Sequence, residues 1–306
     1  MYALVGYTGF VGSNLYASGA FDAAYNSKNI EEAFGTNPEL LVYAGVSAEK
    51  YIANCNPEKD FKVMEQAQDH IRRIHPKKLV LISTIDVFQK PSGVDEHSAV
   101  DTSGLSAYGY HRYLLECRVR ENYPDALIVR LPALFGKNIK KNFIYDYVNV
   151  IPFRLNEEKL RELSEKVPLI GTCYEKQEQE QGFYQVNVPD SKREELKEAF
   201  RQAGFSALNF TDSRSVYQFY NLGNLWKDLK TAVRHGILLW HPATEPVSAA
   251  EIYYHLTGKI FRNELAGIPA FYDYRTIYDG LYGGRNGYIC DKARIIKEIQ
   301  AFVEEM

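Results

Sequence analysis

The chain has 306 residues, 45% hydrophobic and 25% charged, with a formal charge of -3. That length buries one large core or two modest ones, and the composition is that of an ordinary globular protein in water. A charge so near neutrality, with no Lys/Arg stripe, argues against a nucleic-acid partner. Cys55, Cys117, Cys173 and Cys290 share no short spacing, and the histidines form no metal-binding pattern, so buried free thiols in a reducing compartment and no metal site are expected. No apolar run reaches membrane-spanning length, and the first strand begins too close to Met1 to leave room for a cleavable leader. A cytoplasmic, non-membrane protein is the expectation.

In chain order, Tyr2 to Val5 is a short apolar strand that runs at once into Gly6-x-x-Gly9-x-x-Gly12. Phe10 to Ser18 then reads as a helix that Gly19 ends, and Ala23 to Tyr25 as a brief strand. Leu40 to Ala44 and Leu79 to Ser83 are stronger strands, separated by a helix over Pro57 to Ile74. Ala107 to Glu121 is the next helix and Ala126 to Leu131 the next strand. This alternation predicts an α/β protein, a Rossmann-like doubly wound and mostly parallel sheet covered on both faces.

After Pro132 the pattern changes. Asn156 caps a charged helix through Lys166, Glu175 to Gln181 reads as an exposed polar loop, and Ser191 with Glu194 forms a capping box. Ser248 and Glu251 form another, and Lys292 to Val303 is a closing helix. These elements predict a smaller, discontinuous C-terminal substrate lobe over the C-terminal edge of the sheet. The expected boundaries are residues 1–136 for a dinucleotide-binding core and 137–306 mainly for the lobe, with about 212–240 returning to the core.

The three glycines lie between strand and helix, where a dinucleotide cradle needs them. One permits the tight turn, one lets pyrophosphate approach the backbone, and one admits the helix against the sheet. Phe10 and Val11 pack against the nucleotide or the core, and Ala44 and Gly45 offer a small-residue surface after another strand. The usual acidic ribose reader is missing, because Asp22 precedes the second strand and the expected positions carry Asn26, Ser27 and Lys28. They read either as acceptors of a ribose 2′-phosphate or as a plain exposed turn. The cofactor is therefore NAD or NADP, with a slight preference for NADP.

Thr84 follows a strand, so its hydroxyl suits holding a substrate oxygen; Ser83 is the neighbouring alternative. Tyr108 is placed as a phenol proton donor or acceptor. Arg112, one helical turn later on the same face, favours phenolate and reaches a nicotinamide ribose, or else serves a structural ion pair. Unlike lysine it shuttles no proton near neutrality.

GYTGFVG at 6–12, ISTIDVF at 82–88, YGYHR at 108–112 followed by Glu116, and VRLPALFG at 129–136, in this order and separation, resemble the extended short-chain dehydrogenase/reductases. Within these the likeness is to the NAD-dependent epimerase/dehydratase-like families and the dTDP-4-dehydrorhamnose reductases. It covers most of the chain and is strongest over residues 1–136. The resemblance implies that the glycine motif binds pyrophosphate and that Thr84 and Tyr108 take the hydroxyl and phenol roles of a Thr/Ser–Tyr–Lys set. Arg112 then stands in the lysine position.

In the resembled family the chain turns towards substrate after the VRLPALFG segment. There Lys140, Lys141 and Asn142 read either as ligands of a substrate diphosphate and sugar or as a solvated basic turn. Tyr217-Gln218-Phe219-Tyr220 lines a sugar or base pocket or packs in the core, and the stretch 272–284 is expected to fold back near the substrate lobe. The implied function is an NAD(P)-dependent oxidoreductase or epimerase acting on a sugar nucleotide or related hydroxylated carbonyl compound. Only one carboxylate, Asp86, follows Thr84, which disfavours a dehydratase. Arg112 motivates the alternative, a catalytically decayed dinucleotide-binding regulatory protein. The expected partner is a small molecule, with a homodimer the commonest assembly for such a chain.

Overall fold

The computed structural model describes residues 1–176 and 182–306. It opens with strand β1 (Tyr2–Val5), helix α1 (Phe10–Tyr16), β2 (Ala23–Tyr25), β3 (Leu40–Tyr43), α2 (Lys50–Cys55) and α3 (Pro57–Ile74). Then come β4 (Leu79–Thr84), α4 (Ala107–Asn122), β5 (Leu127–Leu131) and β6 (Ala133–Phe135). The middle of the chain carries α5 (Phe143–Asn149), β7 (Arg154–Asn156), α6 (Glu157–Lys166), α7 (Pro168–Thr172), β8 (Tyr174–Lys176), β9 (Phe183–Val186) and α8 (Arg193–Gln202). The remainder adds β10 (Val216–Tyr217), β11 (Phe219–Asn221), α9 (Leu225–Arg234), β12 (Leu239–Trp240), β13 (Val247–Ser248), α10 (Ala249–Thr257) and α11 (Lys292–Glu304). No helix among the described residues is long and apolar enough to cross a membrane.

Six strands form one sheet in the order β12-β5-β4-β3-β1-β2, every pair parallel. Strands β3 and β5 are buried at every position, as expected where both faces of a parallel sheet are covered. The chain turns one way from β1 to β2 and the other way to β3. This Rossmann-like, doubly wound topology therefore has its switch point at β1, and its crevice lies beyond the carboxyl ends of β1 and β3.

Packing divides the chain into two units, one of residues 1–139, 216–247 and 270–298, the other of 140–215, 248–269 and 299–306. The sequence indicated a core of 1–136 with a return over about 212–240; by packing, 270–298 also belongs to the first unit. Its residues answer polar groups of the sheet unit. Thr276 Oγ1 donates to Glu96 at 2.6 Å, Ile277 N donates to the same carboxylate at 2.9 Å, and Gln218 Nε2 donates to the Tyr274 carbonyl at 2.9 Å. Apolar periodicity carries no trace of such pairings.

One face of the sheet is closed by α3 and α4. On α3 the residues Asp60, Met64, Ala67, Ile71 and Ile74 recur at helical spacing and are all buried. Met64, Ile71 and Ile74 meet Ala3, Val5, Leu41, Leu79 and Leu81 of the sheet; burying each contributes about 1.5–3 kcal/mol. The helix starts where Asn56 accepts from Lys59 N with Pro57 at the first position, and ends where His75 turns left-handed.

Within the second unit, Leu155, Leu160, Leu163, Ile170, Leu196 and Phe200 form a core beside the antiparallel sheet β7-β9-β8. Asn156 caps α6 and Ser248 with Glu251 forms a capping box, both as the sequence indicated. The Ser191–Glu194 box does not form, because a 3-10 turn over Asp190–Lys192 leads straight into α8. The polar loop expected over 175–181 is part strand, since Glu175 and Lys176 lie in β8, and its positions 177–181 fall outside the described residues. Cys55, expected in the interior, is exposed.

Behind the end of β4 lies a buried ionic network. Arg130 of β5 and Glu116 of α4 are 2% and 0% exposed, and Arg130 Nη2 donates to Glu116 Oε2 at 2.7 Å. Ser83 Oγ donates to the same carboxylate at 2.6 Å. Arg130 Nη1 also meets His241 Nε2 at 3.4 Å. Burial, and then the Arg130 charge, hold the His241 imidazole down to about 3.

Glu116→Leu leaves the Arg130 charge buried without its partner and should cost roughly 3–5 kcal/mol of stability in urea unfolding, whereas replacing both by apolar residues should recover most of it. His241 takes no proton in the fold until about pH 3, while in the unfolded chain it does so near its ordinary value of 6.5. Its contribution is thus fully present above about pH 6.5 and is lost as pH falls towards 3, at about 1.4 kcal/mol per pH unit. His241→Asn should flatten that slope in unfolding measured across pH.

Candidate active site and dinucleotide cradle

The glycine turn is packed backbone against backbone. Gly6 has a φ of +92°, and a Cβ there would lie 2.5 Å from the Ala44 carbonyl oxygen and 2.8 Å from Gly45 Cα. At Gly12 a Cβ would lie 2.0 Å from the Gly6 oxygen, so α1 can approach the turn only without a side chain there. Gly9 differs: its φ of -77° suits any residue, it is exposed, and a Cβ would meet only the Gly6 oxygen, at 3.3 Å. Two glycines are therefore required by the fold, and the third keeps outward space clear. Phe10 and Val11 are half-buried in the first turn of α1.

At the end of β2 the Asn26 side chain is turned into its own loop. Its Oδ1 accepts from Lys28 N at 2.8 Å, and its backbone N donates to Asn29 Oδ1 at 2.8 Å. Ser27 and Lys28 remain exposed. Asp22 is engaged elsewhere, accepting from the Tyr2 backbone at 2.7 Å.

Thr84 ends β4 and Tyr108 opens α4, on the carboxyl edge of the sheet that also carries the glycine turn. The Thr84 hydroxyl, which accepts from Asp86 N at 3.2 Å, also bears on the charge of the Tyr108 phenol. Tyr108 is 7% exposed, and burial raises its phenol above the usual range. The Arg112 charge opposes that rise, Asp86 adds to it, the Thr84 hydroxyl opposes it, and Asp60 adds to it. At neutral pH the phenol is protonated, as a proton donor must be.

Arg112 is buried and committed. Its Nη1 donates to Asp60 Oδ2 at 2.7 Å and to the Tyr108 carbonyl at 3.1 Å, while Nη2 donates to the Ser47 carbonyl at 2.6 Å. Its guanidinium carbon sits 3.9 Å from the centre of the Tyr108 ring. His111 Nδ1 shares the Asp60 carboxylate at 2.8 Å. The structural ion-pair role left open by the sequence is thus occupied, and the cation lies against the ring face of the phenol. The signal for it was an aspartate at position 60 within the apolar stripe of α3, a place that demands a partner.

Sequence reasoning named Asp86 and the stretch 272–284 but missed Lys50 and the contacts that join them. Asp86 Oδ1 accepts from the Tyr272 hydroxyl at 3.0 Å, and Asp86 Oδ2 lies 3.1 Å from Lys50 Nζ. Tyr217 stacks on Tyr272 with ring centres 6.3 Å apart, while Phe219 and Tyr220 are core residues, 1% and 2% exposed. In the second unit Lys141 is exposed, and Asn142 caps α5 by accepting from Ile144 N and Tyr145 N at 3.0 and 3.3 Å.

No protein-family model matches the chain, and no curated protein matches it in sequence. Solved structures match in fold. A dTDP-4-dehydrorhamnose reductase from Clostridium acetobutylicum is 14% identical with a TM-score of 0.62, over 100% of this chain and 99% of that one. The Bacillus anthracis dTDP-4-dehydrorhamnose reductase, in complex with NADP, is 15% identical with a TM-score of 0.63, over 100% and 98%. A UDP-glucuronic acid 4-epimerase from Bacillus cereus, in complex with NAD and a fluorinated sugar nucleotide, is 13% identical with a TM-score of 0.61, over 99% and 98%. At such identities the likeness is one of fold: the chain has the Rossmann-like architecture of those proteins.

Gly12→Ala should cost several kcal/mol, beyond the roughly 1–3 kcal/mol of ordinary overpacking, because the added carbon meets backbone that has nowhere to move. Thermal unfolding of the variant checks this.

Proposed function

We propose that the chain is an NAD(P)-dependent oxidoreductase or epimerase acting on a sugar nucleotide or a related hydroxylated carbonyl compound. The observation that carries this reading is the placement of Thr84 at the end of β4 and of Tyr108, with Arg112 on its ring, at the start of α4, on the same sheet edge as the glycine turn at the switch point. The fold likeness to dTDP-4-dehydrorhamnose reductases and to a UDP-glucuronic acid 4-epimerase supports it.

The residues present fit a dinucleotide. The loop from Gly6 to Gly12 would hold the pyrophosphate over the space kept clear at Gly9, and Ala44 with Gly45 would let the nucleotide run close to backbone. Ser27 and Lys28 would meet a ribose 2′-phosphate, and no carboxylate stands beside them in the 26–28 turn, so NADP is favoured over NAD. When bound, the nicotinamide would give or take the hydride.

The chain's own part is proton handling and alignment. Thr84 positions the substrate oxygen, and Tyr108 gives its phenol proton to that oxygen as a carbonyl is reduced, or takes it back in the reverse direction. Arg112 holds positive charge against the phenol ring through either change. Lys141 and Asn142 are proposed as ligands of the substrate's phosphate or sugar.

A second reading, a dinucleotide-binding protein without turnover, is favoured by one observation: the position expected to hold lysine is spent on an ion pair with Asp60. Turnover of a panel of sugar nucleotides with NADPH and NADH separates the two, and binding of cofactor without any turnover would sink the enzyme.

Gly9→Ala should fold normally yet lose at least tenfold in dinucleotide affinity, measured by nicotinamide fluorescence. Lys28→Ala should weaken NADPH about tenfold and leave NADH unchanged. Tyr108→Phe should lower kcat by about 10²–10⁴-fold with cofactor affinity intact; unchanged turnover would remove Tyr108 as the acid.

A further inference from the structure

The segment that precedes α3 is fastened to α4 at two points. Arg112 Nη2 holds the Ser47 carbonyl at 2.6 Å, and Asn54 Oδ1 accepts from Tyr108 N at 3.0 Å. Between these anchors lies Lys50, the first residue of α2, whose ammonium stands 3.1 Å from Asp86 Oδ2. Asp86 is itself fixed against α4. Its backbone N donates to Thr84 Oγ1 at 3.2 Å, its side chain accepts from Tyr272, and its carbonyl oxygen lies 2.2 Å from where a Cβ of Gly109 would be. Gly109 is the neighbour of Tyr108, so the backbone of Asp86 is held beside the start of α4, while Tyr272 and Lys50 hold its carboxylate.

We propose that Lys50 is a positioning residue of the active centre: it offsets the Asp86 carboxylate and so keeps the Tyr108 phenol able to part with its proton. The proposal deepens the reading of Tyr108 as the acid and rests on it for its catalytic meaning. Arg112 and Lys50 divide between them what a single lysine in the Arg112 position would supply. Arg112 lies on the ring and ties down Ser47; Lys50, delivered by that same segment, answers the carboxylate.

Every charged or titratable neighbour of the phenol enters the balance. Arg112 on α4 favours the phenolate, while Asp60 on α3 and Asp86 after β4 oppose it. Tyr272 donates to Asp86, and the buried Tyr274 also feels the Asp86 charge. Lys50 is the group that touches Asp86 from the solvent side, with half of its side chain exposed. Removing it leaves Asp86 uncompensated, and the phenolate of Tyr108 becomes harder to form. Removing Asp86 has the opposite effect.

The test is the titration of Tyr108 in full-length protein labelled at the tyrosine ring carbon, assigned by its loss in Tyr108→Phe. Lys50→Met should move that titration up and Asp86→Asn should move it down, each by about half to one pH unit, a three- to tenfold change in proton affinity. Lys50→Arg should restore the starting value, and Lys50→Met with Asp86→Asn should return close to it. In the oxidation direction the pH profile of kcat should shift with the titration, while the KM for cofactor stays put. A Tyr108 titration that is the same in Lys50→Met and in the parent overturns the proposal, even where turnover and cofactor binding stand. Shifts in both directions uphold the charge balance even where no substrate turns over, in which case the enzyme reading alone fails.

Discussion

The constraint on which the sheet unit turns is the backbone contact between the glycine turn and the end of β3. The backbone of Gly6 is pressed on Ala44 and Gly45, and the backbone of Gly12 on Gly6, at separations that exclude any side chain. This contact brings the start of α1 and the loop after β3 to the point where the strand order reverses. It also explains why the three glycines are not equivalent: two are demanded by the chain itself, and only Gly9 is spared for something outside it.

A second constraint couples that frame to the reactive side chains. Asp60 begins the buried stripe of α3, in the first turn where the helix dipole favours negative charge. It receives both His111 and Arg112 of α4. The packing of two helices and the placement of a cation on the Tyr108 ring are therefore one arrangement. A lysine in place of Arg112 could not serve Asp60, the Tyr108 carbonyl and the Ser47 carbonyl through one rigid fork. Arg112 supplies at this position a fixed charge held by three hydrogen bonds.

Much of this was legible from sequence where a local pattern determines the outcome. The alternating strands and helices up to β5 are set by apolar periodicity and by glycine punctuation, and each except the short α2, which the sequence did not indicate, lies within one or two residues of its expected place. Caps made within one turn of chain, by Asn156 alone and by Ser248 with Glu251, were equally visible. What stayed hidden depends on partners far apart in the chain. Glu96 meets Thr276, Asp86 meets Tyr272, and Lys50 reaches Asp86, none of which leaves a periodic trace. The membership of 270–298 in the sheet unit was hidden for that reason. At Arg112 the sequence showed the residue and its oddity, but the partner that explains it lies 52 positions away.

The three-part composition of the sheet unit also bears on how the chain is made. Strand β5 ends at Leu131, and its outer neighbour β12 begins only at Leu239. At about 5–20 residues per second, the ribosome delivers β12 roughly 5–20 s after β5. Through that interval one edge of an apolar strand stands open to pairing with other nascent chains. Arg130 interrupts the run Leu-Ile-Val-Arg-Leu just there. A charge within that strand makes the waiting edge a poorer template for aggregation than an unbroken apolar run would be.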